Sequence, residues 1–302
     1  MSFPLPRLVR PGSRLAIVAP AGPFDEDAFC AGLGWLRERY EVSHRPDIFA
    51  RTGYLAGDDS RRLDEILEAL ADPTVDAIVC ARGGFGTTRI LPGIGEGLVH
   101  AANKLIVGFS DITALHAVWA EAGVRSVHAP MVAALGRASE KIRQQWIDTV
   151  EHPGAARSWS LSSLNSTDHS ATGILTGGNL AVLGALLGTD YQPRLSGRIL
   201  FIEDVGERPY RVDRVLTSMK QAGCFDGLAG LVIGSFTEGE PGPDGVTTDE
   251  VLRGHFAGAP FPVLTGFPAG HIDENEPIPF GSSAKIAGGI LQVLPAQENA
   301  LT

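Results

Sequence analysis

Residues 104–109 form an apolar run that ends at Ser110 and passes through Asp111-Ile112-Thr113 into a helical pattern. A serine on a sharp strand-to-helix turn has its hydroxyl pushed outward. The free N–H groups at the helix start lie beside it and favour negative charge, so an oxyanion formed there is stabilised. Gly108-Phe109-Ser110 meets half of the G-x-S-x-G nucleophile-elbow pattern. In the plainer reading Ser110 is only the N-cap of a helix over 112–121, a position that serine favours.

A nucleophilic serine needs a base, and imidazole is the usual one at neutral pH. Of eight histidines, His44, His100, His152 and His169 lie in polar or loop contexts. His116 follows Ser110 by six residues on the next helix, which points it to another face. His128 suits a supporting role near the site, and His255 belongs to an amphipathic helix. His271 differs, because Gly270-His271 closes a strand and opens the polar loop 272–277. Catalytic groups concentrate on such irregular segments, although an ordinary loop histidine has the same signature. The run 198–202 ends in Glu203-Asp204, and either acid could orient an imidazolium or cap a turn. The chain order is then serine, acid, histidine.

Arg82-Gly-Gly-Phe-Gly86-Thr-Thr-Arg89 follows another apolar strand. It lacks the third glycine of a dinucleotide loop, and no G-K-[ST] follows, so both phosphate fingerprints fail. It is either a tight turn or a loop whose N–H points at an oxyanion. Arg82 either pairs with a substrate carboxylate, which a guanidinium fork matches, or anchors the loop.

The elements that must position these groups alternate. An apolar strand over 14–19 precedes a helix capped by Asp25 or Asp27, with Phe29, Leu33, Leu36 and Tyr40 on one face. A second helix from Asp58-Asp59-Ser60 carries Leu63, Ile66, Leu67 and Leu70 and stops at Asp72-Pro73. Near-continuous apolar strands at 75–80 and 104–109 predict a parallel sheet covered on both faces. Ligands of such sheets bind beyond the carboxyl ends of the strands, where both the glycine loop and Ser110 fall. The polar stretch 158–170 breaks the pattern and predicts an exposed linker, 156–172, between a domain over 1–155 and another over 173–302. The second module has strands near 198–203, 228–236 and 262–267, a helix over 209–221, and a hairpin turning at Gly288-Gly289.

With 302 residues the chain suits about two domains. Its net charge of −10 argues against a nucleic-acid binder, which needs a basic face for phosphates. Cys30, Cys80 and Cys224 are widely spaced, which suggests reduced thiols and argues against zinc. The first apolar run is too short for a secretory signal or a bilayer span, so a cytoplasmic protein without membrane association is expected.

Arg82-Gly-Gly-Phe-Gly86, Gly108-Phe-Ser-Asp-Ile-Thr113, Gly177-Gly-Asn-Leu180 with Gly188-Thr189, Phe201-Ile-Glu-Asp-Val205 and Gly270-His271 with Pro279-Phe-Gly281 together resemble the LD-carboxypeptidases. These are the muramoyltetrapeptide carboxypeptidases of bacterial cell-wall recycling. The resemblance spans nearly the whole chain in order. It implies Ser110 as nucleophile, Glu203 rather than Asp204 as the acid, and His271 as base. The backbone N–H groups of Asp111 and Gly84 would form the oxyanion hole. Phe85 stands where the family commonly has tyrosine. The implied fold is α/β, with a Rossmann- or flavodoxin-like parallel-sheet domain and a smaller swivelling β/α domain, and the site lies between them. The implied activity removes terminal D-Ala from a murein tetrapeptide, without metal or cofactor, in a homodimer. Two other readings are a microcin-immunity-type peptidase acting on peptidyl-nucleotide analogues and a non-catalytic small-ligand sensor.

Overall fold

In a computed structural model of the protein, residues 2–165 and 170–296 are described; His169 lies outside them. The first half alternates as the apolar pattern predicts: β1 (Arg14–Val18), α1 (Glu26–Arg37), β2 (Glu41–Ser43), α2 (Asp59–Ala71) and β3 (Ala77–Cys80). Short helices α3 (Thr87–Ile90) and α4 (Glu96–Ala102) lead to β4 (Leu105–Gly108), α5 (Thr113–Glu121), β5 (Ser126–His128), α6 (Val132–Leu135) and α7 (Glu140–Glu151). Strands β1 to β5 run parallel in the order β5-β4-β3-β1-β2.

Alternation along these strands sends successive side chains to two separate cores. Val18, Ile78, Cys80 and Ile106 pack with Ile66, Leu70, Val99, Leu115 and Val118 from α2, α4 and α5. Their neighbours Ile17, Val79, Leu105 and Val107 pack with Phe29, Leu33, Leu36, Trp146 and Val150 from α1 and α7. A sheet buried on both faces explains why its strands show no polar alternation. Asp25 caps α1 by accepting from the Ala28 N–H at 2.8 Å. The α2 face differs from expectation: Arg61, Arg62 and Glu65 are buried, while Leu63 and Leu67 are only half-buried.

The second half is richer in strand: β6 (Arg157–Ser160), β7 (Ser162–Ser163), β8 (Ala171–Asn179), α8 (Leu180–Ala185), β9 (Arg198–Val205), α9 (Pro209–Gln221) and β10 (Gly230–Thr237). It continues with α10 (Thr248–Phe256), β11 (Val263–Thr265), β12 (Ile278–Phe280), β13 (Ser283–Ala287) and β14 (Ile290–Val293). Eight strands form the sheet β6-β14-β13-β8-β9-β10-β11-β7, in which β8 to β11 are parallel and the rest antiparallel. α8, α9 and α10 cover one face, and Phe267, Phe280 and Leu291 cover the other. The fold is therefore α/β with a parallel-sheet first half and a β-rich second half.

Two expectations need correcting. Within 156–172, residues 157–160 and 162–163 are not exposed linker: β6 pairs with β14 and β7 with β11, so the backbone groups of these two strands are taken up by the second sheet, while residues 166–169 lie outside the described residues. The second half also does not keep to itself. β12 comes from the second half but pairs antiparallel with β5, completing the first sheet. Polar contacts add to this junction: Arg198 with Glu121 at 3.0 Å, Lys141 with Glu276 at 2.8 Å, and Arg125 with Ser282 Oγ at 3.0 Å. Among the described residues no helix is long and apolar enough to cross a membrane.

Candidate active site

β4 ends at Gly108, and the chain then reverses so tightly that a Cβ at that position would lie 2.9 Å from Ile112 Cγ1. Ser110 adopts φ +64°, a left-handed conformation uncommon for any residue but glycine, asparagine or aspartate. A strained strand-to-helix turn of this kind has the backbone form of a nucleophile elbow, and a single 3₁₀ turn, Ser110–Ile112, follows it before α5. Ser110 is not the cap of α5, whose N-cap is Ile112 with no side-chain cap hydrogen bond. Its Oγ lies 3.1 Å from His271 Nε2. His116, expected on another face, is buried beneath this turn. Its Nε2–H donates to Gly108 O at 2.9 Å, and burial pushes its imidazole pKa down to about 4.

His271 Nδ1 lies 2.8 Å from Glu203 Oε2. A carboxylate can only accept, so Nδ1 carries the proton and Nε2 is left to accept from the serine hydroxyl. Glu203, at the end of β9, is 0% exposed, so the imidazole is the partner that makes its burial tolerable. Gly270 has φ +128°, and a Cβ there would stand 3.0 Å from Glu203 Oε2. Glycine is thus what allows the loop to bring His271 over the acid. Asn275 closes that loop by accepting from the Gly270 N–H at 3.0 Å. The Phe109 ring covers the imidazole at 4.9 Å between centroids. His128 is buried against Phe109 and Phe201, and its pKa is pushed well down by burial.

The glycine loop abuts the serine. A Cβ on Gly83 would sit 2.9 Å from Ser110 Cβ and 3.1 Å from its Oγ. Gly84, at φ +114°, packs on Gly22, whose N–H donates to Gly83 O at 3.0 Å. Asp111 is buried, which raises its carboxyl pKa, and it accepts from the Thr87 N–H at 2.8 Å. The residue after the serine thereby ties the far end of the glycine loop to the elbow. Arg82 is exposed and donates to Pro23 O at 2.8 Å, a contact that anchors the loop.

Sequence reasoning missed Arg62. It is fully buried, donates to Pro20 O at 2.5 Å and Gly86 O at 2.7 Å, and pairs with Asp59. Two arginines opening a helix beside an acidic cap were its only trace in sequence. The Glu203-Asp204 ambiguity resolves geometrically: only Glu203 faces the imidazole, while Asp204 accepts from Asn179 Nδ2 at 2.8 Å.

A serine, an imidazole and a buried carboxylate, in hydrogen-bonding sequence at strand ends, is an arrangement of serine hydrolases. Residues 15–129 match the LD-carboxypeptidase N-terminal domain and residues 172–286 the LD-carboxypeptidase C-terminal domain. The chain belongs to the LD-carboxypeptidase family. It is 31% identical to the murein tetrapeptide carboxypeptidase of Pseudomonas aeruginosa, over 92% of this chain and 94% of that one. The crystal structure of the muramoyltetrapeptide carboxypeptidase from Oxalobacter formigenes superimposes with a TM-score of 0.85 at 31% identity, covering 94% of this chain and all of the other. The microcin C7 self-immunity protein of Escherichia coli is more distant, at 25% identity over 87% of this chain and 86% of its own.

Proposed function

We propose that this protein is a cytoplasmic serine carboxypeptidase that releases terminal D-Ala from a murein tetrapeptide during cell-wall recycling. The bond cut joins the L-centre of the diamino acid to D-Ala. The observation that carries the reading is the continuous chain Ser110 Oγ, His271, Glu203, with 3.1 and 2.8 Å links. The 31% relatives named for murein tetrapeptide support the substrate class.

His271 Nε2 takes the Ser110 proton as Oγ attacks the carbonyl carbon, and Glu203 stabilises the imidazolium that forms. The N–H groups of Asp111 and Gly84 hold the oxyanion, where one donor contributes about 3–4 kcal/mol. Collapse breaks the C–N bond, and His271 returns the proton to the departing D-Ala amine. Water, deprotonated by His271, then cleaves the acyl ester and restores the serine. The serine comes from one half and the acid and base from the other, so the two domains share one site; the homodimer is what the family resemblance implies. Arg82 lies on the loop beside the serine and is the candidate for a substrate carboxylate.

Mass spectrometry of the purified protein with murein tetrapeptide and its all-L isomer tests the reading. Loss of one alanine from the first substrate alone is expected, and Ser110→Ala should abolish it. Turnover of both isomers, or of neither, would overturn the assignment. A peptidyl-nucleotide substrate, suggested by the more distant relative, is run alongside. Preferential turnover of it would replace the murein substrate and keep the mechanism.

A further inference from the structure

The Gly177-Gly178-Asn179 stretch takes no part in the serine–imidazole–carboxylate chain, yet it lies where the two halves touch. Thr113 opens α5, three residues after Ser110, and is fully buried. Its Oγ1 accepts from the Asn179 N–H at 2.9 Å. Gly178, at φ +140°, makes this approach possible, because a Cβ there would stand 2.3 Å from Thr113 Oγ1.

Asn179 is itself held rigidly. Its Oδ1 caps α8 by accepting from the Val182 N–H at 3.1 Å, and its Nδ2 donates to Asp204 Oδ1 at 2.8 Å. Asp204 also accepts from the Val205 N–H at 2.8 Å and the Ala181 N–H at 2.9 Å. In the β8–β9 ladder Asn179 stands directly opposite Glu203. Adjacent residues on a strand face opposite ways, so β9 presents Glu203 to the imidazole and Asp204 to Asn179.

We propose that Thr113, Asn179 and Asp204 form a second hydrogen-bonded chain across the two halves, which sets the Ser110 turn in register with the strand that carries Glu203. Together with the Ser110–His271–Glu203 chain it closes a ring. The serine reaches the acid through the imidazole on one side and through Thr113 and the β8–β9 register on the other. Thr113 and Asn179 are positioning residues, since neither touches the reacting atoms. Misplacement of a reacting group by about 1 Å can cost around a hundredfold in rate, so the second path bears directly on turnover. The inference rests on the serine peptidase reading given above.

Thr113→Val keeps the side-chain shape and removes the acceptor, whereas Thr113→Ser keeps the acceptor. For Thr113→Val, kcat on murein tetrapeptide should fall about tenfold to a hundredfold with KM close to wild type, and Tm should drop because the buried Asn179 N–H loses its acceptor. Labelling of Ser110 by a serine-directed fluorophosphonate should slow in parallel, and Thr113→Ser should restore both rates to within about threefold. Asp204→Asn, which turns one acceptor towards the Ala181 N–H into a donor, should show the same pattern and serves if the valine variant does not fold. Unchanged kcat and labelling in Thr113→Val, or a serine variant as slow as the valine one, would overturn the proposal. Failure of the wild type to cleave the tetrapeptide while Ser110 is still labelled would strike at the substrate reading alone, and the labelling rates would still decide the second chain.

Discussion

The two halves solve the same problem by different physical means. In the first half, Ser110 is placed by backbone geometry: a strand end, a glycine that admits a sharp reversal, a φ of +64° and a helix immediately after. In the second, Glu203 and His271 are placed chiefly by side-chain contacts, with Gly270 the one backbone exception: full burial of the acid, a 2.8 Å bond to the imidazole, and a loop closed by Asn275. A site built partly from strained backbone and partly from buried polar contacts is sensitive to different substitutions on its two sides.

The largest effect belongs to the serine. Ser110→Ala should lower kcat by roughly four to six powers of ten with folding intact, measured by release of D-Ala. Glu203→Gln comes next. An amide can present its NH₂ to Nδ1 and favour the wrong tautomer, so a loss of about 10³–10⁴ in kcat is expected, with KM little changed. A milder loss would mean that the buried acid orients the ring less than its geometry suggests. Gly270→Ala probes the same side through the backbone. A side chain at φ +128°, 3.0 Å from Glu203 Oε2, should reduce both kcat and stability, the latter by about 1–3 kcal/mol in urea unfolding.

The last effect reaches stability alone and leaves turnover untouched. His116 is buried, and its folded pKa of about 4 lies below the ordinary 6.5. Its contribution is therefore fully present above about pH 6.5 and is lost as pH falls towards 4, by up to about 3 kcal/mol. His116→Gln can still donate to Gly108 O and does not take up a proton. Its urea midpoint should fall less steeply than wild type over that window, and equal slopes would remove His116 from the acid response.

The sequence made some of this legible because the signals are local. Ser110, Glu203 and His271 each follow an apolar run and precede a polar or helical one, so strand-end placement is written beside them. Periodicity likewise exposed Phe29, Leu33, Leu36 and Tyr40, all of which are buried. What pairs across long separations was hidden. Asn179 and Thr113 are 66 residues apart, and nothing near either names the other. Arg62 lies on a helix whose apolar stripe pointed to Leu63 and Leu67, yet the arginine is buried because backbone carbonyls of two loops converge on its guanidinium. The stretch 156–172 looks like linker in sequence because strands β6 and β7 are short and polar, β7 being exposed and β6 half so; only hydrogen bonding to β11 and β14 makes them sheet.

β12 lies seven residues beyond His271 and hydrogen-bonds to the edge of β5. Cutting the chain near residue 155 would strip that cover from β5 and leave a bare row of backbone donors and acceptors, a template for sticking to other chains. Biotechnological uses that split the protein into separately produced pieces should therefore carry residues 278–280 along with the first piece, or expect inclusion bodies.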